Sequence, residues 1–120
     1  MANKVLIYED DLIASMVLEI MMKDHGCEIL NKYDSADDLV QNVSDHAPDF
    51  ILLDIMLVGE KLGTEAAIEL REHSNLPIIF TSALNDKGTI ETIDALGNAV
   101  LVSKPYDSDR LAEVMRELLD

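Results

Sequence analysis

The segment Asp49-Phe50-Ile51-Leu52-Leu53-Asp54-Ile55-Met56 has a polar lead-in, an unbroken apolar run and one aspartate where the run ends. A short run of this kind reads as a strand buried on both faces, which is the pattern of a parallel sheet covered by helices. Open α/β sheets collect their functional groups in the crevice beyond the carboxyl ends of the strands. Asp54 sits at such an end. A carboxylate there is costly to bury unless it is paired, metal-bound or chemically used.

The rest of the chain repeats the alternation. Lys4 to Tyr8 is a short apolar strand that runs into Glu9-Asp10-Asp11. Leu12, Met16, Ile20 and Ile13, Val17, Met21 fall at i, i+4 spacing and predict an amphipathic helix, capped by Asp11 and stopped by Gly26. Cys27 to Tyr33 reads as a more polar strand at a sheet edge. Ser35-Ala36-Asp37-Asp38 resembles a capping box and predicts a short helix through Leu39, Val40 and Val43, with Pro48 beyond it. After the central strand come a loop over 58–63, a helix from Thr64 to His73 with Ala66, Ala67 and Leu70 inward, and a strand over 77–80. A turn at Asn85-Asp86-Lys87-Gly88 leads to a helix from Thr89 to Leu96, a strand over 99–102 and a last helix from Ser108 to Leu119. Strands and helices alternate five times. This predicts a single α/β domain over 1–120, a parallel sheet with helices on both faces, with no linker and no second domain after Asp120.

Charge narrows the partners. Lys plus Arg is 9 and Asp plus Glu is 24, for a net −15. Such a chain repels nucleic acid phosphates and anionic membrane, and it suits a basic protein partner or a divalent cation. The one cysteine, Cys27, permits no internal disulfide and reads as a small buried hydrophobe, consistent with a reducing cytoplasm. No signal peptide or membrane-spanning stretch is visible. His25, His46 and His73 are scattered near helix ends without ligand spacing and read as surface residues.

Four strand ends carry a coherent set: Glu9 and Asp10, then Asp54, then Ser82, then Ser103-Lys104-Pro105. On one sheet they share a rim. Three carboxylates brought together repel one another, and protonation or a cation must relieve that, a hard divalent cation with oxygen ligands being the natural answer. Magnesium takes one or two carboxylates plus waters and substrate oxygens. With Lys104 as a fixed positive charge and Ser82 as a hydroxyl donor, the set describes a phosphoryl-transfer site with Asp54 as nucleophile. Taken singly, Asp11 is a helix cap, Asp54 another possible cap, and Lys-Pro a common dipeptide. Their joint placement carries the reading.

At these residues the chain resembles the receiver domains of two-component response regulators, the CheY-like fold. The matching stretches are 5–11, 49–57, 77–83 and Lys104-Pro105-Tyr106. The resemblance implies a doubly wound five-stranded sheet of order 2-1-3-4-5 with five helices. It implies Glu9 and Asp10 as the magnesium-holding pair, Asp54 as phosphoacceptor, the Met56 backbone carbonyl as a further ligand, and Ser82 and Lys104 as phosphoryl contacts. It also implies a cis Lys104–Pro105 bond, with Tyr106 packed against the domain. The phosphoryl group would come from a histidine kinase or histidine phosphotransfer protein, and a downstream protein would read the result. The chain departs from the family pattern at Leu101, where an aromatic is common. It departs again in the loop after Asp54, which is one residue longer, with Val58 where proline is frequent. A phosphate-independent binding module is the alternative those departures raise. A phosphatase of the haloacid-dehalogenase type would need a second aspartate at position 56, which is Met.

Overall fold

From Phe50 to Asp54 every residue is buried, as a central parallel strand requires. A computed structural model describes residues 2–83 and 86–119. Among these, strands β1 (Lys4–Tyr8), β2 (Glu28–Tyr33), β3 (Phe50–Asp54), β4 (Ile78–Ser82) and β5 (Ala99–Ser103) form one sheet. The helices between and after them are α1 (Leu12–Asp24), α2 (Leu39–His46), α3 (Gly63–Arg71), α4 (Lys87–Leu96) and α5 (Ser108–Leu119). All pairings are parallel and the order is β2-β1-β3-β4-β5, the arrangement expected. The winding reverses between β1 and β3, which opens a crevice at their carboxyl ends.

The pleat sorts the apolar residues into two cores. Leu6, Tyr8, Ile51, Leu53, Ile78 and Phe80 face α2, α3 and α4, meeting Leu39, Ala66, Ala67, Leu70 and Ile93. Val5, Ile7, Phe50, Leu52, Ile79 and Val102 face α1 and α5, meeting Leu18, Met22, Leu111, Val114 and Met115. Cys27 is buried in this second core, and burial pushes its thiol pKa up. Opposite the strand tips, the Arg71 guanidinium donates to five carbonyl oxygens: Leu96, Ser74, Leu76, Gly97 and Asn98, at 2.7–3.3 Å. One side chain thereby ties the ends of α3 and α4 to the entries of β4 and β5.

Several local expectations need correction. Of the two rows marked as the apolar face of α1, Met21 alone is half-buried against the core, and the other five point away from the sheet. Leu12, Ile13, Met16, Val17 and Ile20 are exposed, while Ser15, Leu18 and Met22 are buried. The helix is apolar on more than one side, so spacing alone could not choose the face that meets β1. Asp11 does cap α1, accepting from the Ala14 N–H at 3.0 Å. Ser35, by contrast, caps nothing. Helix α2 starts only at Leu39, without a side-chain cap. The segment instead braces the loop after β3: Ser35 bridges to Val58, and the Asp37 carboxylate accepts the Glu60 and Lys61 N–H groups at 3.0 and 3.1 Å. This is where the longer loop finds its support. The expected turn before α4 begins at Asn85, outside the described residues, and Lys87 and Gly88 are already helical behind the Asp86 cap. His25 and His46 are half-buried and bonded, to Ser108 and to the Tyr33 hydroxyl; His73 is exposed.

Candidate acidic site at the strand ends

Strand alternation decides which side chains meet at the rim. Glu9 continues the Val5–Ile7 row, Asp54 the Phe50–Leu52 row, Thr81 follows Ile79, and Lys104 stands two past Val102. All four therefore lie over the core shared with α1 and α5. Gly63 lets the chain return closely behind Asp54. Its N–H donates to the Ile55 carbonyl at 2.8 Å, and a Cβ there would collide with the Asp54 carbonyl oxygen. Lys104 is set by its own N–H, which donates to the Ser82 carbonyl at 2.9 Å, and the peptide bond to Pro105 is cis.

The Lys104 ammonium bridges two carboxylates, at 2.7 Å from Asp54 Oδ2 and 3.0 Å from Glu9 Oε1. Asp54 Oδ1 accepts the Met56 N–H at 3.2 Å. Glu9 also accepts the Tyr106 hydroxyl at 2.7 Å on Oε1 and the Asp11 N–H at 3.1 Å on Oε2. Asp10 is exposed beside them. Glu9, Asp10 and Asp54 each offer an oxygen, and the three lie within 4.8 Å of one another.

The electrostatics divide the carboxylates. Burial opposes the charge on Glu9, but the bonds from Tyr106, Asp11 and Lys104 outweigh it and bring its pKa down to about 2. At Asp54 burial prevails: together with the neighbouring Glu9 charge it raises the carboxyl to about 6 against the pull of Lys104. Asp10 is pushed up, by desolvation first and then by Glu9. The Lys104 amine, despite burial, is pushed up by its two carboxylates and stays charged. One ammonium facing three carboxylates leaves excess negative charge. Converging oxygens with that deficit fit a hard divalent ion such as magnesium, and Glu9, Asp10 and Asp54 are the side chains placed to hold it.

Of the residues singled out in the sequence, Glu9, Asp10, Asp54 and Lys104 thus come together. Ser82 is buried at the end of β4, with its carbonyl on Lys104. Met56 is exposed two residues past Asp54, its N–H turned to that carboxylate. Two residues went unassigned to the site. Tyr106 packs against the α1–α5 core as expected, but its hydroxyl also reaches Glu9; the only signal was a tyrosine where a phenylalanine would pack equally well. Thr81 is buried in the same row, and among the described residues its hydroxyl has no hydrogen-bond partner.

Comparison with known proteins gives a consistent picture. The family model described as the response regulator receiver domain matches residues 5–116. The structure is similar to the signal receiver domain of a modulated diguanylate cyclase from Desulfovibrio desulfuricans G20, with 31% identity and a TM-score of 0.88 over 99% of this chain and 94% of that one. It shares its fold with a putative response regulator from Chloroflexus aurantiacus J-10-fl, at 23% identity, TM-score 0.88, and coverage of 99% and 98%. The BeF3-activated receiver domain of RstA from Klebsiella pneumoniae gives 22% identity, TM-score 0.87 and 98% coverage of both chains.

Proposed function

Because the chain belongs to the response regulator receiver domains, we propose that it accepts a phosphoryl group on Asp54 from a histidine-bearing donor. The donor would be a histidine kinase or a histidine phosphotransfer protein, and the change would be read by a partner protein in the cytoplasm. The observation that carries this is the Lys104 ammonium held between Asp54 Oδ2 and Glu9 Oε1, with Asp10 completing the acidic cluster.

In the transfer an Asp54 carboxylate oxygen bonds to phosphorus while the bond from phosphorus to the donor's imidazole nitrogen breaks. The nitrogen keeps the electron pair and takes up a proton. Glu9, Asp10, Asp54 and the Met56 carbonyl would hold magnesium, which supplies divalent charge against the phosphoryl oxygens. Lys104 already lies against the accepting carboxylate, so its charge needs little reorganisation to reach the incoming group. Ser82, ending the adjacent strand, supplies a hydroxyl to the same group. The product carries more negative charge and three strong acceptors in place of one carboxylate. That draws Lys104 and Ser82 inward and shifts the surface around α4 and β5.

The exposed apolar stripe of α1 supports docking of a helical donor. Ile13 and Val17 face a groove of about 400 Å³ whose other wall is Lys104, Pro105 and Tyr106. A helix seated there would cover side chains that are otherwise costly to leave in water, directly beside the acceptor.

The test is intact mass after incubation with acetyl phosphate, with and without magnesium, for wild type and Asp54→Ala. One magnesium-dependent phosphoryl group on wild type, lost in the variant, is expected. A folded wild type left unmodified by both acetyl phosphate and kinases would overturn the proposal.

A further inference from the structure

The Glu9 carboxylate is held by three donors from two stretches of chain. Oε2 accepts the Asp11 N–H at 3.1 Å, and Oε1 accepts both the Tyr106 hydroxyl at 2.7 Å and the Lys104 ammonium at 3.0 Å. An ionised carboxylate has about four acceptor positions, so these donors leave one, on Oε2, for a cation. The two side-chain donors differ in their other duties. Lys104 is shared with Asp54 at 2.7 Å, and a phosphoryl group placed there would draw it off Glu9. The Tyr106 hydroxyl donates to Glu9 and is not shared with Asp54. The Tyr106 ring is half-buried against the α1–α5 core, which fixes the hydroxyl over Glu9. Thr81, buried on the same row, acts to lower the Tyr106 pKa, against the dominant effect of burial.

We propose that Tyr106 is a positioning residue for metal binding, its hydroxyl keeping the Glu9 carboxylate in ligating orientation once Lys104 has turned to the group on Asp54. This rests on the receiver reading for the movement of Lys104. Glutamate has one more rotatable bond than aspartate, so a carboxylate released from both donors must be reordered before it can ligate. While Lys104 remains on Oε1 the phenol is redundant; when Lys104 leaves, it is the side-chain donor that stays.

The experiment is calorimetric Mg²⁺ titration of wild type, Tyr106→Phe, Lys104→Ala and the double variant. Lys104→Ala imitates the departure of the ammonium and by itself tightens Mg²⁺ binding, because a like charge is gone. Tyr106→Phe should change the Mg²⁺ dissociation constant less than about twofold with Lys104 present, and weaken it about three- to tenfold without it, the range expected for one net hydrogen bond. Phenylalanine keeps the ring, so a pure packing role would give the same ratio in both backgrounds. An equal ratio, no effect in either, or no Mg²⁺ binding by wild type overturns the proposal. A second arm needs no Lys104 variant: with beryllofluoride on Asp54, Tyr106→Phe alone should show the larger ratio, and a ratio of one overturns it. Failure of phosphorylation by acetyl phosphate, alongside a clear result in the Mg²⁺ titrations, would count against the receiver reading and leave the Tyr106 role standing.

Discussion

Replacing Asp54 with asparagine should stabilise the metal-free protein, although it removes an ion pair. Asp54 is buried beside Glu9 and its carboxyl stands at about 6 in the fold against an ordinary 3.8. Burial is the main cause, Lys104 works against it, and the Glu9 charge adds to it. A folded-state carboxyl pKa above the open-chain value means that the native state holds the proton more tightly. The contribution is therefore fully present below 3.8 and is lost as pH rises to about 6. Each pKa unit corresponds to about 1.4 kcal/mol, so ionising Asp54 costs the native state roughly 3 kcal/mol at neutral pH. Asparagine avoids that cost without orphaning Lys104, whose ammonium keeps Glu9 at 3.0 Å. Glu9 acts in the opposite sense: held at about 2, it favours the fold above its ordinary 4.5 and loses that as pH falls. Urea unfolding of wild type and Asp54→Asn in EDTA across pH is the assay. The variant should exceed wild type by about 2–3 kcal/mol at neutral pH, with the gap closing toward acid. Added Mg²⁺ should narrow the gap by stabilising wild type more. A variant less stable than wild type at neutral pH in EDTA would refute the reasoning, because the Lys104 pair would then outweigh the crowding.

Other sites offer sharper structural tests. Arg71→Lys keeps a charge but cannot reach five carbonyls, and should cost about 2–4 kcal/mol in urea unfolding. Gly63→Ala must push the β3–α3 loop off the Asp54 carbonyl, costing roughly 1–3 kcal/mol and shifting the Asp54 and Ile55 amide resonances. Ile13→Glu should leave the acetyl phosphate reaction within about twofold while slowing transfer from a helical protein donor at least tenfold, as loss of a buried interface anchor predicts.

Much of this architecture was legible because parallel strands advertise themselves. Phe50 to Leu53 and the runs at 5–8 and 78–80 are apolar on both faces, and the residues that follow them fall on a common rim whatever the packing of the helices. The acidic cluster was legible for the same reason. Helix faces were less so. In α1 apolar residues occupy more than one side, and only the position of β1 decides that Leu18 and Met22 go inward. The segment from Ser35 to Asp38 has the letters of a helix cap, yet its acceptors serve a loop more than twenty residues away, a partnership no local pattern encodes. Tyr106 was placed correctly as a packing residue, but its hydroxyl contact depends on the direction of the chain after Pro105, which one tyrosine does not specify.

Arg71 sets the geometry of any movement at the far end of the sheet. With its guanidinium binding the exits of α3 and α4 to the entries of β4 and β5, that end would act as the pivot of a tilting strand. Each of these five-residue strands is about 16 Å long at roughly 3.3 Å per residue. A displacement of Ser82 toward Asp54 is then a tilt, largest at the tip and vanishing at the hinge, rather than a slide of the strand. Under the proposed phosphorylation, leverage of that kind would confine the work of switching to the upper turn of the domain and leave the lower half as a stationary frame. Weakening the pivot would let both ends move and dilute the signal before it reached the surface.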